Sequence, residues 1–325
     1  MEGVVSVIVC CYNGSKHLDS CFSCLLNQNY SPLEILFVND GSTDDSFEKS
    51  LRYTGLFKDK GDRLLCFSQE HKGVGAAASL ALSHASGDFI MCYDVDDVLY
   101  PDAIMEMVSY LKSNPRIDLV RANGFKEDSK GNKSLFVTSD EEKRKTDLFE
   151  DILLGRTNNW AGSYMVRSTA LWEVYPSHKI IESRYGQNLQ ILLPVSYGRK
   201  AGFIDKPLLE YRFNPVSFTN NGSDYVDKLD RLLGYKAIRL SLIDYLGIDY
   251  NHYSRLLDIE YLKMMLDMDL NHNELDSYVS HYESLMTLQC PNDIHSYHYY
   301  RIRGDYIACF YYRFKSFISR LSILR

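Results

Sequence analysis

The sequence predicts an α/β fold with a mainly parallel central sheet, followed by a helical C-terminal region. Three observations support this prediction. Short β-branched runs alternate with helical patterns through residues 1–112, polar loops follow those runs directly, and a helical pattern rich in Tyr and Leu begins at Tyr225. Strands and helices that alternate at this spacing form parallel sheets with helices on both faces. A chain of 325 residues is long enough to bury a large core.

The first strands and helices follow from β-branched runs and from helical spacing. Residues 4–10 are a β-branched run that is too short for a helix, and residues 17–27 carry apolar side chains at helical spacing. Residues 35–38 predict a second buried strand. Residues 42–45 then offer N-cap side chains for a helix that continues through Leu51.

The next elements repeat this alternation. Residues 64–67 predict a third strand, residues 75–84 an alanine-rich helix, residues 89–93 a fourth strand and residues 102–112 a helix. Ligands of such sheets bind beyond the carboxyl ends of the strands, so the loops that follow the strands are expected to carry a site.

The pattern is less regular in the middle of the chain. Residues 126–144 are polar and charged, as in a solvated hairpin or loop, whereas residues 164–166 have the character of a strand. Residues 187–197 predict a buried helix that Pro194 bends or ends, and residues 204–211 predict a returning strand.

Composition and charge exclude several classes of protein. A net charge of −7 argues against general nucleic-acid binding, which needs a basic face. Cys21-x-x-Cys24 has the spacing of half a redox or zinc motif, but no second pair completes it, so we expect reduced thiols in a cytosolic protein. The N-terminus shows no signal-peptide pattern, and no uncharged apolar run is long enough to span a membrane. These features together predict a cytoplasmic location.

An acidic run marks the end of the fourth strand. Asp94-Val95-Asp96-Asp97 places three carboxylates directly after an apolar run. Carboxylates crowded in this way raise each other's pKa unless a cation compensates, and oxygen ligands at this density suit Mg²⁺ or Mn²⁺. A solvated acidic turn ahead of the helix near Pro101 is the alternative. The loops Cys11-Tyr12-Asn13 and Asp40-Gly41-Ser42 reach the same sheet edge, which favours a binding site.

Three motifs occur in a fixed order within the first hundred residues. They are Ser6-Val7-Ile8-Val9 with Tyr12-Asn13, Asn39-Asp40-Gly41-Ser42-Thr43-Asp44-Asp45-Ser46, and Gly87-Asp88-Phe89-Ile90 ahead of Asp94-Val95-Asp96-Asp97. In order and spacing they resemble the family 2 glycosyltransferases, which have the GT-A fold. The Gly-Gln-Asn-x-Gln pattern at residues 186–190 is similar to that of a bacterial subset of this family.

The resemblance implies a nucleotide-sugar donor (a UDP-sugar), Mn²⁺ or Mg²⁺ as cofactor, and inversion of the anomeric carbon in a single displacement. It also implies a division of the chain. Residues 1–222 would form the GT-A domain, with a nucleotide-sugar half over about 1–100 and an acceptor half over about 101–222, and residues 223–325 a helical region.

The same resemblance implies roles at the nucleotide. Cys11, Tyr12 and Asn13 are expected to form the pocket for the base. Asp40 is expected to accept a hydrogen bond from a uracil N–H, and it can also form an Asx-turn ahead of Gly41.

Further positions are implied to contact the ribose, the diphosphate and the metal. Asp94, with Val95, faces the ribose or the metal, and Asp96 binds the metal that bridges the diphosphate. Asp97 is either a further ligand or a charge at a helix N-terminus.

Two basic residues are candidates for the phosphates. Many relatives carry an Arg-Asn pair where this chain has Ala78-Ser79, so Lys72 would supply the missing positive charge, unless it is an ordinary surface lysine. Arg212 follows Tyr211 as in a late motif near the diphosphate, although Asn214 replaces a histidine found in many relatives.

The catalytic base is the weakest part of the resemblance. Relatives usually carry an acidic pair near residue 187, where this chain has Gln187 and Asn188, and an amide cannot serve as a base. Glu182 is the nearest carboxylate and our candidate base; the alternative is a loop acid paired with Arg184.

Three residues are candidates for the acceptor. Trp160 and Tyr185 would stack on a sugar ring, unless they are core aromatics, and Gln187 would lie at the acceptor.

The sequence therefore predicts a transferase that moves a sugar to a hydroxyl of a glycan, a cell-surface polymer or a glycoprotein. The alternatives are a catalytically silent subunit that keeps the fold, and another nucleotide-using transferase. No glycine-rich dinucleotide or P-loop motif follows the first strand, which weakens the last of these.

The C-terminal part leaves two further questions open. Residues 306–325 form a basic amphipathic pattern, which suits an anionic membrane surface at the inner face of the membrane, or a helix docked on the protein itself. The tyrosine-rich segment after Tyr225 could form a homo-oligomer interface or an acceptor platform.

Overall fold

A computed structural model describes residues 3–157, 160–215, 217, 224–288, 292–305, 308–309 and 311–312. The chain divides into two compact units, Met1–Asn221 and Gly222–Arg325. The first contains a mixed β-sheet with flanking helices, and the second contains helices alone among its described residues. The expected α/β fold with a helical C-terminal region is therefore confirmed.

The described strands of the first unit all join one sheet. In chain order they are β1 (Val5–Cys11), β2 (Leu33–Asp40), β3 (Arg63–Gln69), β4 (Phe89–Cys92), β5 (Val98–Leu99), β6 (Leu119–Glu127), β7 (Lys133–Leu135), β8 (Tyr164–Arg167) and β9 (Ala201–Tyr211). Their order in the sheet is β3-β2-β1-β4-β8-β6-β9-β5, and β7 pairs with β6. The first four strands are parallel, as predicted, whereas β8 lies antiparallel between β4 and β6.

The helices of this unit connect the strands and cover the sheet. They are α1 (Ser15–Leu26), α2 (Ser46–Leu51), α3 (Thr54–Lys60), α4 (Val74–Leu82), α5 (Ala103–Ser113), α6 (Asp140–Arg144), α7 (Phe149–Leu153), α8 (Ser168–Val174) and α9 (Gln187–Ser196). All eight residues of β2 are buried, as expected of a parallel strand that is covered on both faces.

Helix α1 shows how the sequence spacing produces the packing. Leu18, Cys21, Phe22 and Leu25 are its buried residues, and their spacing of three and four positions places them on one face. The ring of Phe22 packs against that of Phe37 in β2 at a centroid distance of 5.7 Å. The predicted helix and its apolar face are confirmed.

The middle of the chain contains several elements that the sequence did not predict: β6, α6, α7 and α8. Strand β6 was not predicted because Arg121 and Asn123 interrupt its apolar run; in the fold both are buried, and the Asn123 amide donates to the Val137 carbonyl and to Asp205. The polar segment forms the expected hairpin, in which β7 pairs with the end of β6, but α6 follows it unpredicted. Pro194 lies inside α9, which ends two residues later at Ser196.

Among its described residues, the second unit contains the helices α10 (Tyr225–Tyr245), α11 (Tyr250–His272), α12 (Leu275–Thr287) and α13 (Asp293–Ile302). Helices α11 and α12 share a core that includes Leu266, Tyr278, Tyr282 and Leu285, so part of the tyrosine-rich pattern is core packing. Asp269 is fully buried there and accepts hydrogen bonds from the Tyr225 hydroxyl and from the His281 ring, at 2.7 Å each.

Among the described helices, none combines the length and the hydropathy that a membrane span requires. Most of the basic amphipathic tail predicted over residues 306–325 lies outside the described residues, so both interpretations of that tail stay predictions.

Candidate active site

The carboxyl ends of neighbouring parallel strands bring three polar loops to one edge of the sheet. β1 pairs with β2 on one side and β4 on the other. The backbone N–H of Asn13 donates to Ser42 Oγ at 2.9 Å, and Asn13 Oδ1 accepts from the Thr43 N–H at 2.7 Å. A side chain added at Gly14 would lie 2.8 Å from Cys11 Sγ and 3.3 Å from Val95 Cγ2. The first loop therefore contacts the second and lies close to the acidic run.

Cys11 itself belongs to the core. Its side chain is 2% exposed, and burial raises the pKa of the thiol to about 11, so the group remains protonated at neutral pH. A nucleotide could reach only the backbone at this position. The exposed side chain of the loop is Tyr12, which is 49% accessible.

The acidic run is buried enough to perturb its carboxyl groups. Burial, and then the charge of Asp96, raise the pKa of Asp94 to about 7. Burial, followed by the charges of Asp94 and Asp96, raises the pKa of Asp97 well above its usual value. Asp97 Oδ1 accepts from the Arg212 N–H at 3.1 Å, but Oδ2 is buried without a partner among the described residues. Such an orphaned oxygen beside two carboxylates favours a cation at this place.

Asp97 does not cap the following helix. β5 intervenes, and α5 begins only at Ala103, with Asp102 at its N-cap position. The alternative that Asp97 is a helix N-terminal charge is therefore wrong, because α5 begins too far along the chain.

The segment after β9 closes over the acidic run from the other side. Besides the Arg212 contact with Asp97, the Asn214 amide donates to Asp96 Oδ2 at 2.8 Å. The Asn214 nitrogen also lies 3.4 Å from Nε2 of His17, which is in the first turn of α1. In the sequence, Asn214 stands out only as the replacement of a histidine, and His17 carries no signal of its own. A polar residue just beyond a strand end was the available signal for Asn214.

Asp40 is held by the loop between β3 and α4. Its Oδ1 accepts from Gln69 Nε2 at 2.7 Å and from the Lys72 N–H at 3.0 Å. Its Oδ2 accepts from the Gly73 N–H and lies next to His71 Nδ1, at 2.9 Å each. The uracil contact expected of Asp40 stays a prediction.

Lys72 and Glu182 share a separate cleft. This cleft has a volume of 270 Å³ and runs along α4. Its lining residues are Gln69, Lys72, Ala76, Ser79, Leu80, Ser83, Lys179 and Glu182. None of residues 94–97 lines it. The structure thus places the candidate base beside Lys72 and not within the acidic cluster.

The Gly-Gln-Asn-x-Gln pattern has structural roles in this chain. Gly186 precedes α9 with a φ of 77°, a conformation that favours glycine. The buried Gln190 amide exchanges hydrogen bonds with the backbone N–H and carbonyl of Ile181, at 2.9 and 3.0 Å. Asn188 Oδ1 accepts from the Tyr164 hydroxyl at 2.8 Å. Gln187 is half-buried in the first turn of α9.

Of the two aromatic candidates, Trp160 packs against Tyr211, the last residue of β9. Its ring stacks on that of Tyr211 at 5.3 Å, and Lys126 Nζ lies 5.5 Å from its centroid. Tyr211 directly precedes Arg212, whose N–H bonds Asp97. Tyr185 instead lies near the Arg184 guanidinium, at 5.9 Å. Trp160 therefore has neighbours on its ring and is not a fully exposed platform.

A family model described as "Glycosyl transferase family 2" matches residues 6–175, just over half of the chain. The chain belongs to glycosyl transferase family 2. The matched residues include β1 from its second residue, β2, β4 and all of the acidic run.

Individual relatives agree with this family. The chain is 30% identical over 184 residues to "Glycosyltransferase GlyG" of Streptococcus pneumoniae serotype 4, covering 56% of this chain and 58% of that protein. It therefore spans little more than half the length of this relative.

Solved structures show the GT-A fold of this family 2 protein. One is S. aureus TarS 1–349 in complex with UDP-GlcNAc, with a TM-score of 0.60 and 14% identity over 94% of this chain and 89% of that chain. Another is the mannosyltransferase PcManGT from Pyrobaculum calidifontis with GDP-Man and Mn²⁺, with a TM-score of 0.54 and 15% identity over 95% of this chain and 86% of that chain.

Proposed function

We propose that this protein transfers a sugar from a nucleotide-sugar, a UDP-sugar, to a hydroxyl group of a glycan, a cell-surface polymer or a glycoprotein, with inversion of the anomeric carbon. One observation carries the proposal. Three loops meet at the carboxyl edge of the parallel strands, and one of them holds a buried acidic run with an unpartnered carboxylate oxygen. This arrangement suits a dianionic nucleotide only if a cation is present.

The residues present fit a divalent cation, Mn²⁺ or Mg²⁺. Asp94 and Asp96 would hold it, because both are near-surface carboxylates in mutual electrostatic contact. Within the described part of the chain, no three His, Cys, Asp or Glu side chains form a complete metal cage. Mg²⁺ is commonly bound by one or two carboxylates plus substrate phosphates, so an incomplete cage is the expected form. When bound, the cation neutralises the charge that develops on the departing diphosphate.

The remaining donor contacts follow from the loops. Tyr12 and Asn13 would flank the base, and Asp40 would accept a hydrogen bond from a uracil N–H. The backbone atoms of Cys11 and Val95 would complete the pocket around the base. Lys72, in place of the Arg-Asn pair of relatives, and Arg212, from the late motif, would supply positive charge to the diphosphate.

Acceptor binding is proposed for Trp160, Tyr185 and Gln187. Glu182 is proposed to take the proton of the acceptor hydroxyl, which requires the acceptor to reach the cleft that Glu182 shares with Lys72. Replacement of Glu182 by Gln should then lower sugar transfer at least about a hundredfold and leave donor binding unchanged. Transfer that survives this replacement would remove Glu182 as the base.

A second candidate function is a catalytically silent subunit that keeps the fold. The observation that favours it is the structural hydrogen bond of Asn188, one of the two amides where relatives place acids, with Glu182 apart from the acidic cluster. A panel of UDP-, GDP- and dTDP-sugars with Mn²⁺ separates the two functions. We expect release of UDP, accelerated by an acceptor hydroxyl; no release from any donor would favour the silent subunit.

The proposal places the protein in the cytoplasm, at the inner face of the membrane if the basic tail binds lipid. Sedimentation with anionic liposomes, with and without residues 306–325, tests the tail. Equal sedimentation of the two forms would exclude a membrane role for it. Sedimentation equilibrium would show whether the protein forms a homo-oligomer.

A further inference from the structure

The side-chain amide of Asn214 joins two groups that each offer it a lone pair. Its Nδ2 donates to Asp96 Oδ2 at 2.8 Å and lies 3.4 Å from Nε2 of His17. An ionised carboxylate can only accept a hydrogen bond, so the part of the amide that faces Asp96 is its NH₂ group. An NH₂ group has no lone pair to offer a ring N–H, so Nε2 is the unprotonated nitrogen of the His17 ring. A carboxylate lone pair and an imidazole lone pair therefore converge on one place.

The position of His17 is set by the first turn of α1. The His17 N–H donates to the Gly14 carbonyl at 2.9 Å. A side-chain carbon added at Gly14 would lie 3.3 Å from Val95 Cγ2, so this turn packs against the acidic run. The Ser15 N–H donates to Asp44 Oδ2 at 3.1 Å, which ties the turn to the loop after β2. The half-buried ring of His17 is therefore carried to the acidic run by a turn that is held on two sides.

A divalent cation suits this place better than a neutral amide does. The Asn214 amide carries no net charge, so it balances none of the negative charge of Asp94 and Asp96. Carboxylate oxygens and neutral imidazole nitrogens are both ligands of divalent metals in proteins. The amide also lies between Asp96 and the His17 ring, in agreement with the lack of a complete three-ligand cage among the residues that the structure describes. It therefore occupies a place where a carboxylate and an imidazole could share a cation.

We propose that His17 is a further ligand of the divalent cation, which it binds through Nε2 beside Asp96, and that the Asn214 amide leaves this place when the cation binds. The inference rests on the proposed function, because the cation is the one that accompanies the donor's diphosphate. It also chooses between the two cations proposed above. Mg²⁺ is bound through oxygen, whereas an imidazole ligand favours a first-row transition ion, so His17 selects Mn²⁺ over Mg²⁺.

Pulsed EPR of Mn²⁺ bound together with UDP tests the ligand directly and needs no turnover. A coordinated imidazole produces a ¹⁴N coupling in the spin-echo modulation of Mn²⁺, and we expect this coupling in the wild-type protein. His17→Phe keeps a ring but has no nitrogen in it, and we expect the coupling to disappear. His84→Phe is the matched control: the exposed His84 ring lies 4.4 Å from that of Phe67, beyond α4, and its replacement should leave the coupling unchanged.

Two further readouts separate metal ligation from a structural effect. Titration calorimetry with UDP present should show Mn²⁺ binding about tenfold more weakly to His17→Phe, whereas Mg²⁺ binding should change by less than about twofold. Wild-type protein grown with ¹⁵N-labelled histidine should show a ¹⁵N coupling in place of the ¹⁴N coupling, and this readout does not depend on whether a variant folds. Asn214→Ala should keep the coupling, because the ring and not the amide supplies the nitrogen.

The possible failures are distinguishable. If the wild-type protein binds Mn²⁺ with UDP but shows no nitrogen coupling, or if folded His17→Phe keeps the coupling, the inference is overturned and the proposed function stands. A coupling that histidine labelling does not change, or that Asn214→Ala abolishes, would likewise overturn the inference. If the wild-type protein binds no divalent cation with any of UDP, GDP and dTDP, the proposed function fails, and the inference fails with it.

Discussion

The Asp97 carboxyl group shows at the scale of one residue why the acidic run needs a partner. One oxygen takes the Arg212 N–H, and the other is buried without a partner among the described residues. Burial and two neighbouring carboxylates raise the pKa of Asp97 well above its usual value. A charged Asp97 therefore opposes folding in the absence of a cation.

This shift makes stability depend on pH in metal-free buffer. A carboxyl whose folded-state pKa is raised contributes stability that is fully present below about pH 4 and is lost as the pH rises through the raised value. We expect the free energy of unfolding to fall as the pH rises above about 4, and Asp97→Asn to raise it by about 1–3 kcal/mol only on the high-pH side of this fall. Urea unfolding with a chelator present measures this. An unchanged pH slope in the variant would contradict it.

Asn214 is the second residue whose effect can be measured. Its amide contacts Asp96 Oδ2 at 2.8 Å, so a side chain at this position reaches a proposed metal ligand. Imidazole is a better metal ligand than an amide. We expect Asn214→His to tighten Mn²⁺ binding about tenfold in the presence of UDP, because a nitrogen ligand is added. Titration calorimetry measures the change, and weaker binding would show that the side chain does not face the metal.

At the scale of elements, the loop between β3 and α4 depends on a close backbone approach. Gly73 has a φ of 95°, and a side chain there would overlap Arg184. Gly198 also has a positive φ, 68°, but a side-chain carbon added there would meet no heavy atom within 4 Å outside its chain neighbours. Gly73 is therefore required both by its positive φ and by the close contact with Arg184, whereas Gly198 is required by its positive φ alone.

The pair of glycines gives a matched test. Both Gly73→Ala and Gly198→Ala place a side chain at a positive φ, but Gly73, with a φ of 95° and a ψ of 165°, lies in a region essentially confined to glycine, and only Gly73→Ala adds a clash with fixed backbone. We expect Gly73→Ala to lower the free energy of unfolding by at least about 2 kcal/mol more than Gly198→Ala, and to weaken UDP binding. Equal costs for the two variants would mean that the loop is not clamped as described.

Elements with local signals were predictable from the sequence, and elements built on distant contacts were not. β1, β2 and β4 are apolar runs in the sequence, and their positions predicted which edge of the sheet carries the site. β6 was missed because the partner of its buried Asn123 is Asp205, which no local pattern reveals.

The same limit applies to the site. Some contacts at the site form only where distant parts of the chain meet, and these are the contacts of His71, His17 and Asn214. Asn214 contacts His17 across 197 positions of sequence. The acidic run and the polar loops of β1 and β2, by contrast, each carry their signal in consecutive residues.

At the scale of the whole molecule, each of the two units has its own core. In the second unit, the fully buried Asp269 accepts from the Tyr225 hydroxyl and the His281 ring. We expect Asp269→Ala to cost about 3 kcal/mol, because two buried groups lose their partner. Asp276→Ala removes an exposed carboxylate at the start of α12 and should cost less than about 1 kcal/mol. Chemical unfolding compares them, and similar costs would show that the buried network does not stabilise the unit.

The central claim is that the acidic run holds the metal of a sugar-transfer site, and Mn²⁺-dependent release of UDP from a UDP-sugar tests it most directly. The comparison is between Asp96→Ala and Asp59→Ala, which removes an exposed carboxylate on α3. We expect the wild-type protein and Asp59→Ala to release UDP only with Mn²⁺. Asp96→Ala should be folded and unfold in urea as the wild-type protein does, but it should release UDP at least about a thousandfold more slowly. Turnover retained in a folded Asp96→Ala protein would contradict the assignment.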